Sequence, residues 1–211
     1  MACTQRIMAS MPANASPTHT LPGSCDNPPG SQHDAGSLSM MGGLRMDDIQ
    51  TGKMVIRPAR TGEDVALTDL AMRSVQQHWR YTSEFMEWEP EVIAVHPEHL
   101  TEGLTNVLED QGCVIGFYVL RGEAPEMELS RMMVEPDKIG TGYGRRLWNH
   151  AVQTARSLGV RVLTIDGDPN AEAFYQRMGA ETVGEHEWAP PMMPDWHVKK
   201  MRYSIPPAPV S

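Results

Sequence analysis

The chain has 211 residues, with 18 basic and 27 acidic side chains and a formal net charge of −9. This acidic balance argues against a nucleic-acid-binding surface, which normally shows as a basic patch. No run approaches the roughly 18 apolar residues of a membrane span. The length fits one domain of about 100–200 residues plus a tail. Three cysteines without motif spacing favour reduced thiols in a cytoplasmic protein over a disulfide framework.

The first 52 residues differ sharply from the rest of the chain. They contain no aromatic residue, and 17 of the 52 are Pro, Gly or Ser. Such a segment cannot bury enough apolar surface to offset the entropy of ordering. We therefore expect a disordered leader over 1–52, one domain over 53–204 and a loose Pro-rich tail over 205–211. An internal translation start at Met46 or Met54 is an alternative explanation of the leader.

From residue 54 onward, strand patterns and helix patterns alternate. The predicted elements, in chain order, are a strand at Met54–Arg57, a helix over 64–79, a broken helical segment within 80–102, strands at Leu104–Glu109, Cys113–Arg121 and Glu126–Val134, a helix that ends at Leu158, a strand at Val160–Ile165, a helix over 170–178, and an antiparallel pair at Thr182–Trp188 and Val198–Ser204. The run Cys113–Leu120 is almost continuously apolar, so its strand should be central and buried on both faces. The sum predicts a mixed α/β domain.

A glycine-rich loop, Ile139–Gly144, joins a predicted strand to a predicted helix. Glycines let the backbone turn sharply, and the unpaired N–H groups of the first helical turn form a site for phosphate. The loop is not a nucleotide P-loop, because Gly144 is followed by Arg145 rather than by Lys and Ser or Thr. It also lacks the third glycine of the dinucleotide fingerprint. By itself, the loop fits a simple strand-to-helix turn equally well.

A second segment, Asp168–Ala180, begins with a helix-start pattern. Its residues Ala171, Phe174 and Met178 fall on one helical face. Core packing alone explains this stripe when the helix is considered in isolation.

Together, in this order, the two segments and the strand Glu128–Val134 with Pro136 resemble the GNAT superfamily of acyl-CoA-dependent N-acetyltransferases. The resemblance covers about residues 53–204. It implies a mixed, mostly antiparallel sheet of about six or seven strands flanked by about four helices. It also implies acetyl-CoA as co-substrate, no metal, and a small-molecule or peptide amine as acceptor.

The resemblance assigns roles to individual residues. Backbone groups of Met132, Met133 and Val134 would pair with the pantetheine arm, and Tyr175 would protonate the leaving thiolate. The residues implied in cofactor binding are Met132, Met133, Val134, Ile139, Gly140, Thr141, Gly142, Tyr143, Gly144, Arg145, Asn170 and Phe174. Ile139 departs from the pattern, because the family usually has Gln or Arg at this position.

An amine must lose a proton before or during attack, so the reaction needs a base. Glu128 is the leading candidate, since a regular strand would place it on the same face as Ser130, Met132 and Val134. A bulge would break this parity, and an exposed strand-end carboxylate is an equally good interpretation. A water chain is the other source of a base. Weaker candidates are Glu84, Glu87 and Glu89.

Further side chains form clusters of less specific meaning. The histidines at 78, 96, 99 and 150 have no Cys or carboxylate partners with metal-ligand spacing, so no metal site is predicted. The aromatic residues Trp79, Tyr81, Phe85 and Trp88 indicate either core packing or an apolar acceptor pocket. The apolar loop 186–198 is suited to contact an acceptor or a second subunit, which leaves monomer and homodimer open.

The sequence therefore predicts a cytoplasmic N-acetyltransferase that acts on a primary amine, without nucleic-acid or membrane partners. The acidic domain favours cationic acceptors. The alternative is a non-catalytic acyl-CoA-binding sensor or interaction module of the same fold.

Overall fold

The structure is a computed structural model that describes residues 54–78, 81–82, 84–85, 93–101, 104–187 and 189–207. All of them belong to one compact unit, Gly43–Ser211. The predicted leader over 1–52 and part of the predicted segment 80–102 lie outside the described residues. None of the described helices has the length and apolar character needed to cross a membrane.

Seven strands and four α-helices are described over their full length. In chain order they are β1 (Val55–Pro58), α1 (Asp64–Arg73), α2 (Pro97–Thr101), β2 (Leu104–Asp110), β3 (Cys113–Glu123), β4 (Glu126–Val134), α3 (Tyr143–Ser157), β5 (Val162–Gly167), α4 (Glu172–Arg177), β6 (Glu181–Glu185) and β7 (Lys199–Ser204). A π-helical turn, Ser74–His78, extends α1, and a 3-10 turn, Pro136–Lys138, follows β4. For the described residues the predicted order of elements is confirmed, with boundaries shifted by a few residues.

One expectation about the cysteines is wrong. Cys113, at the start of β3, takes part in a disulfide bond. The number and spacing of cysteines in a sequence do not determine whether a given thiol is oxidised.

The seven strands form one sheet in the order β1-β2-β3-β4-β5-β7-β6. Every neighbouring pair is antiparallel except β4 and β5, which run parallel. This confirms the mixed, mostly antiparallel sheet. The parallel pair is short, since its register extends only from Glu126 opposite Val162 to Glu128 opposite Thr164. Beyond Glu128 the two strands separate and leave a gap in the middle of the sheet.

The core lies on both faces of β3. Phe117 and Val119 pack on one face with Leu67 and Leu70 of α1, which we call the α1-side core. Tyr118 and Leu120 pack on the other face with residues of α3, which we call the α3-side core. Their side chains are fully buried, and each such apolar side chain stabilises the fold by about 1.5–3 kcal/mol. The prediction that this strand is buried on both faces is confirmed.

A bulge interrupts β4 at the point where the strands separate. Val119 pairs with Arg131, whereas Leu120 pairs with Leu129, so Ser130 has no partner on β3. The α3-side core contains Met127, Leu129, Met132 and Val134. Glu128 therefore points to the opposite face from Met132 and Val134. The expected parity is wrong, because the extra residue of a bulge reverses the alternation of side chains beyond it.

Candidate active site

A cavity of about 600 Å³ opens where β4 and β5 separate. The second half of β4 forms one wall, and Asp166–Asp168 at the end of β5 form the other. The π-helical turn after α1, the loop before α3 and the start of α4 complete the lining. We refer to this cavity as the cleft. Its volume is in the range that small-molecule and cofactor sites occupy, about 300–1,000 Å³.

The backbone of β4 forms an unpaired strand edge along the cleft. Met132, Met133 and Val134 all line it, and the register with β5 ends at Glu128. Backbone N–H and C=O groups on such an edge form hydrogen bonds with any extended chain that carries amides. The three β4 residues predicted from the resemblance therefore lie where an amide-containing ligand can add as a strand.

The glycine-rich loop places the N-terminus of α3 at the cleft. Gly140 and Gly142 have φ angles of 83° and 99°, which side chains of L-residues rarely tolerate. The helix has no side-chain cap and no acid in its first turn. Its first backbone bond runs from Arg146 N to Gly142 O, 3.1 Å. The N–H groups of residues 143–145 are thus left for a ligand, and the helix dipole favours an anion there.

The loop residues contribute to the cleft in different ways. Those that line it are Ile139, Gly140, Gly142, Gly144 and Arg145. The side chain of Ile139 also packs against the α3-side core. The side chains of two other predicted residues make contacts elsewhere. Thr141 Oγ1 donates to the carbonyl of Lys138 at 2.5 Å, and Tyr143 Oη donates to Asp110 Oδ2 at 3.2 Å.

Tyr175 of α4 lies in the wall of the cleft. Its ring contacts Trp148 and Phe174, with centroids 5.8 Å and 5.3 Å away, and only 7% of the residue is exposed. Burial, and then the nearby Asp168 carboxylate, raise the pKa of its phenol. The hydroxyl therefore stays protonated. It forms no hydrogen bond with any described residue and is available as a donor to a ligand.

A hydrogen-bonded cluster around Tyr81 lines the cleft on the side of the predicted acceptor pocket, which we call the acceptor side. Tyr81 Oη donates to Asp168 Oδ2 at 2.5 Å, and it accepts from Asn170 Nδ2 at 2.8 Å and from Trp196 Nε1 at 2.7 Å. The backbone N–H of Asn170 donates to Asp168 Oδ1 at 2.7 Å. Burial raises the pKa of Asp168, although these hydrogen bonds act in the opposite direction. We call Tyr81, Asp168, Asn170 and Trp196 the Tyr81 cluster.

The sequence did not identify Asp168 as a site residue. It stood out only as the start of a helix, and its link to Tyr81 spans 87 residues of chain. Asn170, a predicted cofactor-binding residue, lines the cleft, and its side-chain nitrogen donates to Tyr81 Oη. The signal that could have found Asp168 is a carboxyl group at the end of a strand beside the predicted acceptor pocket.

Aromatic rings form the outer part of this side of the cleft. The ring of Tyr81 lies 4.5 Å from that of Phe85, which lies 5.5 Å from that of Trp196. Tyr81 and Phe85 both line the cleft and pack against the α1-side core, so the two interpretations of these aromatic residues hold together. Two further residues of that prediction, Trp79 and Trp88, lie outside the described residues. Within the described part of the chain, no group of three His, Cys, Asp or Glu side chains could hold a metal ion.

Of the predicted bases, Glu128 and Glu84 are described, and neither lines the cleft. Glu128 pairs with Arg121 on one side and Thr164 on the other, and it is absent from the cleft walls. Glu84 is exposed, and Glu87 and Glu89 lie outside the described residues. Among the described residues, the acidic side chains that line the cleft are Asp166 and Asp168.

Proteins of similar sequence are N-acetyltransferases, in agreement with the resemblance found in the sequence. A sequence model of the Acetyltransferase (GNAT) family matches residues 67–180, more than half of the chain. A 5-NmdU N-acetyltransferase from Pseudomonas phage PaMx11 is 28% identical over 134 residues, which cover 63% of this chain and 90% of the phage protein. The peptidyl-lysine N-acetyltransferase YjaB of Salmonella typhimurium is 29% identical over 133 residues, covering 63% of this chain and 86% of that protein.

Solved structures share the fold. A GCN5-related N-acetyltransferase from Rhodopseudomonas palustris superposes with a TM-score of 0.61 at 22% identity, covering 74% of this chain and 98% of its own. The PaiA N-acetyltransferase of Thermoplasma acidophilum, solved with coenzyme A, has a TM-score of 0.60 at 17% identity and covers 72% of this chain and 99% of its own. At these identities the likeness establishes the architecture.

Proposed function

The chain belongs to the Acetyltransferase (GNAT) family, and from that premise we propose that it transfers an acetyl group from acetyl-CoA to a primary amine of a small molecule or protein. The observation that carries the proposal is the cleft between β4 and β5. It has unpaired N–H groups at one end and a protonated phenol and a carboxyl group in its wall. Cytoplasmic location, and a monomeric or homodimeric state, stay predictions.

The donor would be held by groups that suit its two parts. Coenzyme A carries a pyrophosphate, which matches the N–H groups of residues 143–145 and the adjacent Arg145. It also carries a pantetheine arm with two amides, which matches the free edge of β4 at Met132–Val134. Because the arm would follow β4 away from the phosphate site, its sulfur end would lie toward Tyr175 and Asp168.

The transfer proposed is a direct attack. The amine nitrogen forms a bond to the thioester carbonyl carbon, the carbon–sulfur bond breaks, the nitrogen gives up one proton and the sulfur gains one. We assign the proton for sulfur to Tyr175. The raised pKa of its phenol keeps the proton in place at neutral pH, and the unpartnered hydroxyl has no competing acceptor among the described residues.

We assign the base to Asp168 in preference to Glu128. Asp168 lines the cleft and raises the pKa of Tyr175 by its proximity, so the acid and the base would stand close to one another. Burial raises the pKa of Asp168 itself, and a carboxylate is a better base when its pKa is closer to the working pH. Glu128 does not line the cleft.

The alternative is a sensor that binds acyl-CoA without catalysis. The two functions are separated by incubating the full chain with acetyl-CoA and a panel of primary amines. Free thiol and acetylated amine are then both quantified, and acetyl-CoA affinity is measured by calorimetry. We expect binding together with amine-dependent thiol release. Binding with no thiol release above the amine-free control, on any amine, would instead establish the sensor.

A further inference from the structure

Arg131 is a charged side chain of the cleft that the proposed chemistry does not use. It follows the bulge residue Ser130 on β4, lines the cleft and is half-buried. Strand rise of about 3.3 Å per residue places it roughly 10 Å along β4 from Val134. Arg131 therefore lies away from the phosphate site at the N-terminus of α3, on the part of β4 that faces the acceptor side.

The guanidinium of Arg131 forms no ion pair with a carboxylate in the part of the chain that the structure describes. Its Nε donates to the carbonyl of Ala94 at 3.2 Å, and its Nη1 donates to the carbonyl of Ser130 at 3.3 Å. None of the ion pairs within 4.0 Å among the described residues includes it. Its Nη2 makes no hydrogen bond with a described residue, so one edge of the planar group is left open.

Arg57 shows what a satisfied arginine looks like in the same domain. Its guanidinium pairs with Glu63 at 2.8 Å and with Glu109 at 2.7 Å, and these partners raise its pKa. For Arg131 the pKa is lowered, first by burial and then by the like charge of Arg121, against a weaker opposing effect of Glu128.

Burying half of a cation without a counter-charge lowers the stability of the folded protein, unless a ligand supplies the anion. Guanidinium binds carboxylate and phosphate in a planar, two-bond geometry. Across the cleft, the carboxyl group of Asp168 offers the complementary site for an amine. The cleft thus presents a cation and an anion to one acceptor.

We propose that the acceptor is a small primary amine that also carries an oxyanion, a carboxylate or a phosphate, and that Arg131 binds this oxyanion while the amine faces Asp168. The inference rests on the proposed function. It departs from the expectation that the acidic domain favours cationic acceptors, because the charge of Arg131 has the opposite sign to the net charge of the chain.

The test uses pairs of amines that differ only in the anion. β-Alanine is compared with β-alaninamide, and O-phosphoethanolamine with ethanolamine; the first pair reports on carboxylate and the second on phosphate. We expect the anionic member of at least one pair to have a kcat/KM about 10- to 100-fold higher, as charge-assisted hydrogen bonds imply. Equal values within both pairs for the wild-type protein, or higher values for the neutral members, would overturn the proposal.

Variants then assign the preference to Arg131. In Arg131→Met the preference should disappear through a higher KM for the anionic amine, with KM for acetyl-CoA unchanged, and Arg131→Lys should retain part of it. The matched control is Arg121→Met, which removes an exposed arginine that does not line the cleft and should keep the preference. A preference that survives in Arg131→Met would refute the role of Arg131.

Failure of the inference and failure of the proposed function have different signatures. Thiol release without selectivity for anionic amines leaves the acetyltransferase in place and rejects the inference. If no amine supports thiol release, the proposed function fails. The inference is then judged by calorimetric titration of β-alanine and O-phosphoethanolamine in the presence of coenzyme A. Loss of their binding in Arg131→Met would sustain it, and no binding to wild type would reject it.

Discussion

Replacing Tyr81 by Phe should destabilise the protein in a way that depends on pH. The substitution removes the hydroxyl that donates to Asp168 Oδ2 at 2.5 Å and leaves this carboxylate with the backbone bond from Asn170. A hydrogen bond to a charged group contributes about 1.5–3 kcal/mol, so we expect a loss of this size in the free energy of unfolding at pH 8. The assay is urea denaturation followed by tryptophan fluorescence at several pH values.

The direction of the pH effect follows from Asp168. Burial raises its pKa in the folded protein. The stabilisation that comes with this raised pKa is therefore fully present below the pKa of Asp168 in the unfolded chain, and it is lost as the pH rises through the pKa of Asp168 in the folded protein. Tyr81→Phe removes a donor that lowers this pKa, so the pKa rises further. The difference in stability between variant and wild type should be largest at pH 8 and should shrink as the pH falls. The acid limb of kcat/KM should move to higher pH.

Tyr203→Phe is the matched control for Tyr81→Phe. The ring of Tyr203 packs against Trp148 with centroids 5.1 Å apart, and its hydroxyl forms no hydrogen bond with a described residue. The same chemical change should there alter stability by less than about 0.5 kcal/mol at every pH. A loss in Tyr81→Phe that is equal at all pH values, together with an unmoved acid limb, would refute the role given to Asp168.

Two further predictions concern the loop and the core. Gly142→Ala should weaken coenzyme A binding measured by calorimetry and lower the free energy of unfolding by about 1–2 kcal/mol, because φ at Gly142 is 99°. The control is Gly184→Ala, where an added Cβ meets open space, and it should bind coenzyme A as tightly as wild type. Unchanged affinity in Gly142→Ala would contradict the assigned phosphate site. Leu147→Ala should lower the free energy of unfolding by about 2–5 kcal/mol, since Leu147 is fully buried. Leu158→Ala, at a residue 49% exposed, should cost far less, and equal losses in urea denaturation would refute the assigned core.

Local patterns were sufficient to predict the order of elements. The apolar run Cys113–Leu120 predicted a central strand, and the structure buries it on both faces because Phe117 and Tyr118 contact different helices. The glycine-rich loop likewise predicted a helix N-terminus, which α3 supplies. These features depend on residues that are near one another in the chain, so a sequence pattern records them directly.

The wrong parity along β4 and the missed Tyr81 cluster both depend on contacts between distant segments. The bulge at Ser130 arises from the register between β3 and β4, and no pattern within β4 alone indicates it. The bond from Trp196 to Tyr81 spans 115 residues. The sequence named the aromatic residues around the acceptor side, but only the fold shows that Tyr81 joins them to Asp168.

The catalytic role of Tyr175 is tested most directly by the single-turnover rate of Tyr175→Phe with acetyl-CoA and an amine that the wild-type protein acetylates. Rapid-quench measurement of acetylated amine gives this rate, and calorimetry gives the Kd for acetyl-CoA. General acid catalysis typically contributes about 100- to 10,000-fold to a rate. We therefore expect the single-turnover rate to fall by about 100-fold or more, while the Kd for acetyl-CoA stays within about twofold of wild type. An unchanged rate would contradict the assignment of Tyr175 as the acid, and with it the mechanism built around the cleft.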